Sequence, residues 1–340
     1  MFSQKRMTYY SEHAVELKRD LAAAVPTDEL RELHRKRPLL HALIAIGNVA
    51  ALIGSGIAIY HFQQWYFWLP FAFVAGFAVF DFTVLLHEVV HRAVLAESSD
   101  RAYRVLGLLY AIPSGISASQ FTRWHLDHHA GLGSDTEDPK RHYLSPKRNA
   151  RWLKALYFTP ALFAIYFRAA ARETASYEPE LRKRIARERL ATIAFQLGVL
   201  FAIAFFFGWT IALKLYVVPV FLVFPIAFAL NRLGQHYDID PADPAKWSTL
   251  IKGSWFWDVV YLASNYHLEH HYFPGVPFYN LPRLQRLLMP FYEKRGVTPR
   301  GYGELVWHYL VLNKKPHTNW TPATAFAAVS SYRADSDQSA

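Results

Sequence analysis

Four apolar stretches, each roughly 20 residues long, constrain this 340-residue chain more than any other feature. A hydrocarbon core about 30 Å thick demands helices of that length, because no water there satisfies backbone N–H and C=O groups. The stretches cover about 39–60, 65–86, 190–209 and 211–230. Asp81 is the one charge in the second, and Pro219 and Pro225 place kinks in the fourth of a kind that membrane helices tolerate. The joints are short, His61-Phe-Gln-Gln64 and a turn near Gly208-Trp209-Thr210, so the spans pair as two hairpins. The expected fold is an all-α integral membrane protein of four transmembrane helices.

Charge placement sets the expected orientation. Lys5, Arg6, Lys18, Arg19, Arg31, Arg35, Lys36 and Arg37 precede the first span, further cations run from Arg92 through Arg189, and the segment after the fourth span is basic too. The two joints hold no lysine or arginine, and the nearest cation is Lys214. By the positive-inside rule, residues 1–38, 87–189 and 231–320 lie in the cytoplasm. The net charge of +10 is then the cation excess of cytoplasmic loops, and no nucleic-acid partner is needed to explain it. With no cysteine, disulfides, thiolate metal sites and cysteine nucleophiles are excluded. The first ten residues lack the apolar run of a secretory signal peptide. One domain is expected over 1–320, followed by an Ala- and Ser-rich tail at 321–340 whose composition predicts disorder. Between the hairpins, residues 106–117 are too short to span and are expected to be re-entrant or interfacial. Residues 151–172 are expected as a helix on the membrane surface, and 178–189 as a solvated helix.

Three histidine words stand in these cytoplasmic segments: His87-Glu-Val-Val-His91, His125-Leu-Asp-His128-His129 and His267-Leu-Glu-His270-His271. Neutral imidazole is the commonest nitrogen ligand for zinc, iron and copper. A helix puts positions i, i+3 and i+4 on one face, so each word aims its rings at a common point. Eight rings are too many for one tetrahedral zinc and suit two metals held by a cytoplasmic helical cap. His236, at the cytoplasmic end of the fourth span, is a ninth candidate on position alone, with Asn231 or Gln235 able to add a weaker contact. Glu88, Asp127 and Glu269 lie inside the words and are candidates to orient a ring from behind or to stand as solvated charges. His13, His34, His41, His61, His142, His308 and His317 lie outside any cluster and are left out of the site.

The words resemble the membrane fatty acid desaturase and hydroxylase superfamily, the integral-membrane non-haem di-iron enzymes. That pattern is H-x(3 or 4)-H, H-x-x-H-H and [HQ]-x-x-H-H in this order, the first word after the second span and the third after the fourth. The resemblance covers roughly residues 38–295, and the run from Asn265 to Arg283 (Asn-Tyr-His-Leu-Glu-His-His-Tyr-Phe-Pro-Gly-Val-Pro) is similar to the acyl-lipid desaturase branch. In that family a further histidine precedes the third word by about thirty residues, the place of His236. The resemblance implies a ligand set of His87, His91, His125, His128, His129, His236, His267, His270 and His271 for two irons cycling between Fe2+ and Fe3+. It implies O2 as co-substrate, a lipid or acyl substrate, and a separate electron donor of ferredoxin or cytochrome b5 type, since no H-P-G-G word is present. Desaturation is the expected outcome. Hydroxylation or ketolation of a lipid or terpenoid on the same fold is the alternative. An apolar tunnel should end beneath the metals, with Trp255-Phe-Trp257 and Tyr272-Phe273 either at its mouth or anchoring the bilayer. Two other classes remain: a zinc protease using His87, Glu88 and His91, and a metal transporter, which would need more ionisable groups in the spans than Asp81 and Lys214.

Overall fold

The computed structural model describes residues 8–96, 99–134 and 136–318; Lys5, Arg6 and the expected tail at 321–340 lie outside them. The regular secondary structure of the described residues is helical, joined by turns and loops, with one isolated bridge between Ile251 and Arg300. Three short helices, α1 (Tyr9–His13), α2 (Val15–Ala24) and α3 (Thr27–Leu33), lead to α4 (Pro38–His61), which opens with proline where no N–H is needed. Next come α5 (Trp65–Val90), α6 (Asp100–Ala111), α7 (Ala118–Gly131), α8 (Arg151–Leu156), α9 (Ala161–Ala175) and α10 (Pro179–Phe207). A short α11 (Trp209–Ala212) widens into a π-helical stretch, Leu213–Val223, and continues as α12 (Phe224–His236). The chain closes with α13 (Trp255–Val260), α14 (His267–Tyr272), α15 (Leu281–Arg295) and α16 (Tyr302–Val306).

Four helices are long and apolar enough to cross a membrane: Pro38–His61, Trp65–Val90, Pro179–Phe207 and Trp209–His236. They differ in what surrounds them. The apolar window of α5 is 61% buried inside the protein and that of α10 only 6%, so α5 is the central post and α10 presents its side chains to lipid. Asn48 of α4 donates to the Ala78 carbonyl of α5 at 2.9 Å, a polar contact satisfied inside the apolar layer. On its other side α5 meets the π-helical stretch at Gly76, where a Cβ would lie 2.5 Å from Val223 and 2.8 Å from the Pro219 carbonyl oxygen. Only glycine permits that approach.

The spans depart from expectation in extent. The third starts at Pro179 and absorbs the charged residues 178–189, so no separate solvated helix exists there. Glu188 on this extension accepts from the Ser117 hydroxyl (2.6 Å), the Ser119 N–H (2.8 Å) and the Ser119 hydroxyl (2.6 Å). A carboxylate thus sits at the N-terminus of α7, where unpaired N–H groups and the helix dipole favour negative charge. Arg189 donates beside it to Gln120 at 2.8 Å. The second span runs past residue 86 to Val90, and the fourth runs past 230 to His236. Hence His87 is inside a helix and His236 is a last helical residue. The region of Pro219 and Pro225 is accommodated by a wide π-turn, since prolines leave carbonyls without their usual N–H partners. The expected surface helix at 151–172 is two helices, α8 and α9, broken at Thr159-Pro160.

The principal apolar core lies at the histidine end of the spans. Leu17, Leu21 and Leu33 from the N-terminal helices, Leu85 and Leu86 from α5, Leu268 from α14, and Leu284, Leu288 and Tyr292 from α15 pack into one cluster. It fixes the end of α5 against α14, and so one histidine word against another.

Candidate metal centre

All nine rings meet at the end of α5. Two words lie within single helices, α7 and α14, while His87 stands on α5 and His91 forms its C-cap. The nitrogens sort into two groups, one of His87, His91, His125, His129 and His270 and the other of His128, His236, His267 and His271. Within each group, one ring nitrogen per residue lies within 4.8 Å of every other. The words are split between the groups: His125 and His129 go one way and His128 the other, while His270 goes one way and His267 and His271 the other. Neighbours on a helix differ by 100°, so each H-x-x-H-H word straddles the line between two centres, while His87 and His91 both face the first.

The Nε2 spacings are those of ligands around cations. His91 and His125 stand 2.7 Å apart, His125 and His129 2.9 Å, and His129 and His270 3.0 Å. In the second group, His128–His236, His267–His236 and His271–His267 are each 3.0 Å. Adjacent ligands at roughly 2.0–2.1 Å from a metal lie about 3 Å from one another. A hydrogen bond does not explain the first of the second-group contacts. His128 donates Nδ1–H to Asp138 at 2.8 Å, and His236 donates Nδ1–H to the Trp247 carbonyl at 2.9 Å. In the neutral rings both Nε2 atoms are then bare lone pairs facing each other, an arrangement that a cation between them resolves. Burial keeps His128 below its usual pKa, and holds His125, His129, His267, His270 and His271 well below. The donor set is neutral nitrogen throughout, which fits iron or zinc.

The groups behind the rings differ in kind. Asp138, 5% exposed, stays ionised because the His128 ring and the Arg141 N–H outweigh the cost of burying it. Lys140 Nζ is 3.0 Å from His125 Nδ1. Burial, with Arg232 nearby, pushes Lys140 down to about 7, where the amine has a lone pair to accept Nδ1–H. Glu88 accepts the Phe278 N–H at 3.0 Å and stands 3.4 Å from His87 Nδ1. Glu269 accepts from Gln285 and Tyr292, both at 2.8 Å, and makes no hydrogen bond to a histidine among the described residues. Asp127 pairs with Arg123 at 2.8 Å on the outer face of α7, as a surface charge. Sequence reasoning missed Asp138, Lys140 and the Trp247 carbonyl as partners of the rings. The only sequence signal was the polar run that ends at Asp138.

An apolar cavity opens below the rings, with about 1190 Å³ of empty space, open mouth included. His87, His125, His267 and His270 form part of its wall. The rest is largely aromatic: Phe80 from α5, Phe121 and Trp124 from α7, Phe163, Tyr166 and Phe167 from α9, and Phe224 and Phe228 from α12. None of Trp255, Phe256, Trp257, Tyr272 or Phe273 lines it, so the expected mouth residues are elsewhere. Trp255 is 80% exposed, whereas Tyr272 is buried and donates to the Ala245 carbonyl at 2.6 Å.

Known proteins similar to this chain are lipid desaturases by name. Human sphingolipid delta(4)-desaturase/C4-monooxygenase DES2 is 25% identical over 303 residues, 84% of each chain. Sphingolipid delta(4)-desaturase DES1 of Xenopus tropicalis is 25% identical over 291 residues, 78% of this chain and 82% of its own. Its counterpart in Drosophila melanogaster is 25% identical over 238 residues, 66% and 68%. The fatty acid desaturase family model matches residues 63–303, from the joint before α5 to the start of α16 and across every histidine word, and the chain therefore belongs to the fatty acid desaturase family, as a membrane oxidoreductase.

Proposed function

We propose that the nine histidines hold two iron ions, five donors on one and four on the other, and that the protein introduces a double bond into a lipid. The observation that carries this reading is the shared wall: rings of both histidine groups line the apolar cavity. When bound, the iron pair supplies O2 activation and the oxidising power to take hydrogen from an unactivated C–H bond. The chain's own residues do the rest. Asp138 and the Trp247 carbonyl fix the tautomers of His128 and His236, and Lys140 does so for His125. The aromatic wall holds an alkyl chain, which offers no polar handle at the reacting carbon, in one register and keeps water from it. Desaturation consumes O2, two electrons and two protons for each pair of hydrogens removed. The electrons require a separate carrier of ferredoxin or cytochrome b5 type.

The relatives are named for desaturation and, in one case, also for C4 monooxygenation. Oxygen insertion is therefore the second reading. Mass spectrometry of the product separates the two: loss of two hydrogens is expected, and gain of one oxygen would replace desaturation by hydroxylation. Iron analysis with Mössbauer spectroscopy should find two coupled irons per chain. One zinc and no iron, from iron-replete cells, would instead favour a protease built on His87, Glu88 and His91.

The orientation follows the charges, with the histidine words and the segments flanking the first and fourth spans in the cytoplasm. The spans then work as two antiparallel pairs beneath a cytoplasmic helical cap, residues 8–318 acting as one unit. Asp138→Asn is expected to lower iron retention and turnover roughly 10- to 100-fold, the scale of losing a charged partner behind a ligand. Iron remaining after graded chelation checks it.

A further inference from the structure

The cavity wall is not uniformly apolar. Besides the charged groups Glu88, Lys140 and Arg232, it carries Asn231 and Gln235 from α12 and Ser264 from the segment before α14. Asn231 and Gln235 are one turn apart on α12, on the same face, and Gln235 directly precedes His236. Ser264 lies three residues before His267. The three side chains form a directed hydrogen-bond chain. Gln235 Nε2 donates to Asn231 Oδ1 at 2.6 Å, and Asn231 Nδ2 donates to Ser264 Oγ at 2.9 Å. This leaves an acceptor, Gln235 Oε1, at one end and a donor, the Ser264 hydroxyl, at the other. Neither end makes a further side-chain hydrogen bond among the described residues, and Gln235 and Ser264 are only half-buried, facing the open space.

A purely hydrocarbon ligand filling this space would strip water from both ends and give nothing back. We propose that the Gln235–Asn231–Ser264 chain binds a hydroxyl or amide group of the lipid, a few bonds from the carbon that is oxidised. The inference rests on the lipid-oxidase reading and narrows it: the substrate carries a donor and an acceptor near the reacting carbon, and regioselectivity is measured from that polar end. A simple fatty acyl chain, polar only at a distant head, does not match the wall. Gln235 and Ser264 are positioning and specificity residues, since the side chain of each bonds to Asn231 and otherwise faces the cavity.

The test is equilibrium binding to the purified, iron-loaded protein in detergent under argon, where no turnover occurs. Two lipids of equal chain length are compared: a long-chain N-acylated amino alcohol with a hydroxyl beside the amide, and the methyl ester that lacks both. Wild type should bind the first roughly 10- to 100-fold more tightly, the scale of one or two desolvated hydrogen bonds. Gln235→Met and Ser264→Ala should each lose most of that preference, by weaker binding of the amide lipid and equal or tighter binding of the methyl ester, and Ser264→Thr, which keeps the hydroxyl, should retain it. Wild type without a preference, or both variants keeping it, overturns the proposal. If Gln235→Met loses iron, Ser264→Ala decides alone. Because binding is read without turnover, a preference in a protein that forms no oxidised product would sink the oxidase reading and leave the recognition site standing.

Discussion

Replacing His128 with alanine is expected to abolish turnover and release the ion of the four-histidine group. That group has no spare donor: three imidazoles would remain, and the 5%-exposed Asp138 would face the space left by the ring. Asp138 would keep the Lys140 and Arg141 N–H groups but lose the ring donor, at a cost of about 1–3 kcal/mol, so the loss reaches the packing of the loop after α7 as well as the metal. The same loss of turnover is expected for His236, His267 and His271, and for His87, His91, His125, His129 and His270 in the other group. Iron per chain and product formation check each variant. Retained turnover in two or more of the nine would overturn an all-histidine centre.

Gly133→Ala should be nearly as damaging although it touches no histidine. Gly133 has φ +89°, and an added Cβ would lie 2.5 Å from the Trp247 ring. The left-handed backbone costs a β-carbon roughly 1–2 kcal/mol, and overpacking adds roughly 1–3 kcal/mol. Trp247 cannot withdraw freely. Its indole N–H donates to the Pro241 carbonyl at 3.0 Å, and its ring lies against Tyr9 and Tyr10 of α1. Relief must come from the backbone, whose carbonyl holds His236 Nδ1. The expected result is a lower unfolding temperature in detergent and a selective loss of one of two irons. Full iron content at wild-type stability would show that Trp247 yields without moving His236.

The four apolar spans and the eight histidines of the three words were legible because each is a local pattern, runs of bilayer length and words whose spacing matches a helical face; His236, alone in its segment, was a candidate only by its place at a span end and by the family resemblance. The span ends were less so. Charge density on 178–189 reads as solvation until Glu188 and Arg189 are seen against the start of α7. The companions of the rings were not legible, because they arrive across chain turns. Asp138 reaches His128 from ten residues on in the chain, past the end of α7, and a backbone carbonyl such as that of Trp247 leaves no trace in residue type. The cavity was anticipated, and of the two places open to the aromatics at 255–257 and 272–273, its mouth is not the one they take. Its aromatics are dispersed over α5, α7, α9 and α12, while the conspicuous Trp255-Phe-Trp257 cluster lies outside.

The division of each H-x-x-H-H word between two centres has a consequence for how such a site can change. Neither centre is a module: no segment of chain encodes one ion and leaves the other alone. A single-residue insertion within α7 or α14 would exchange the duties of neighbouring rings and miswire both centres at once. Point substitutions among the apolar wall residues can reshape the cavity one position at a time, while the two words behave as indivisible units of inheritance, closed to any change in their length.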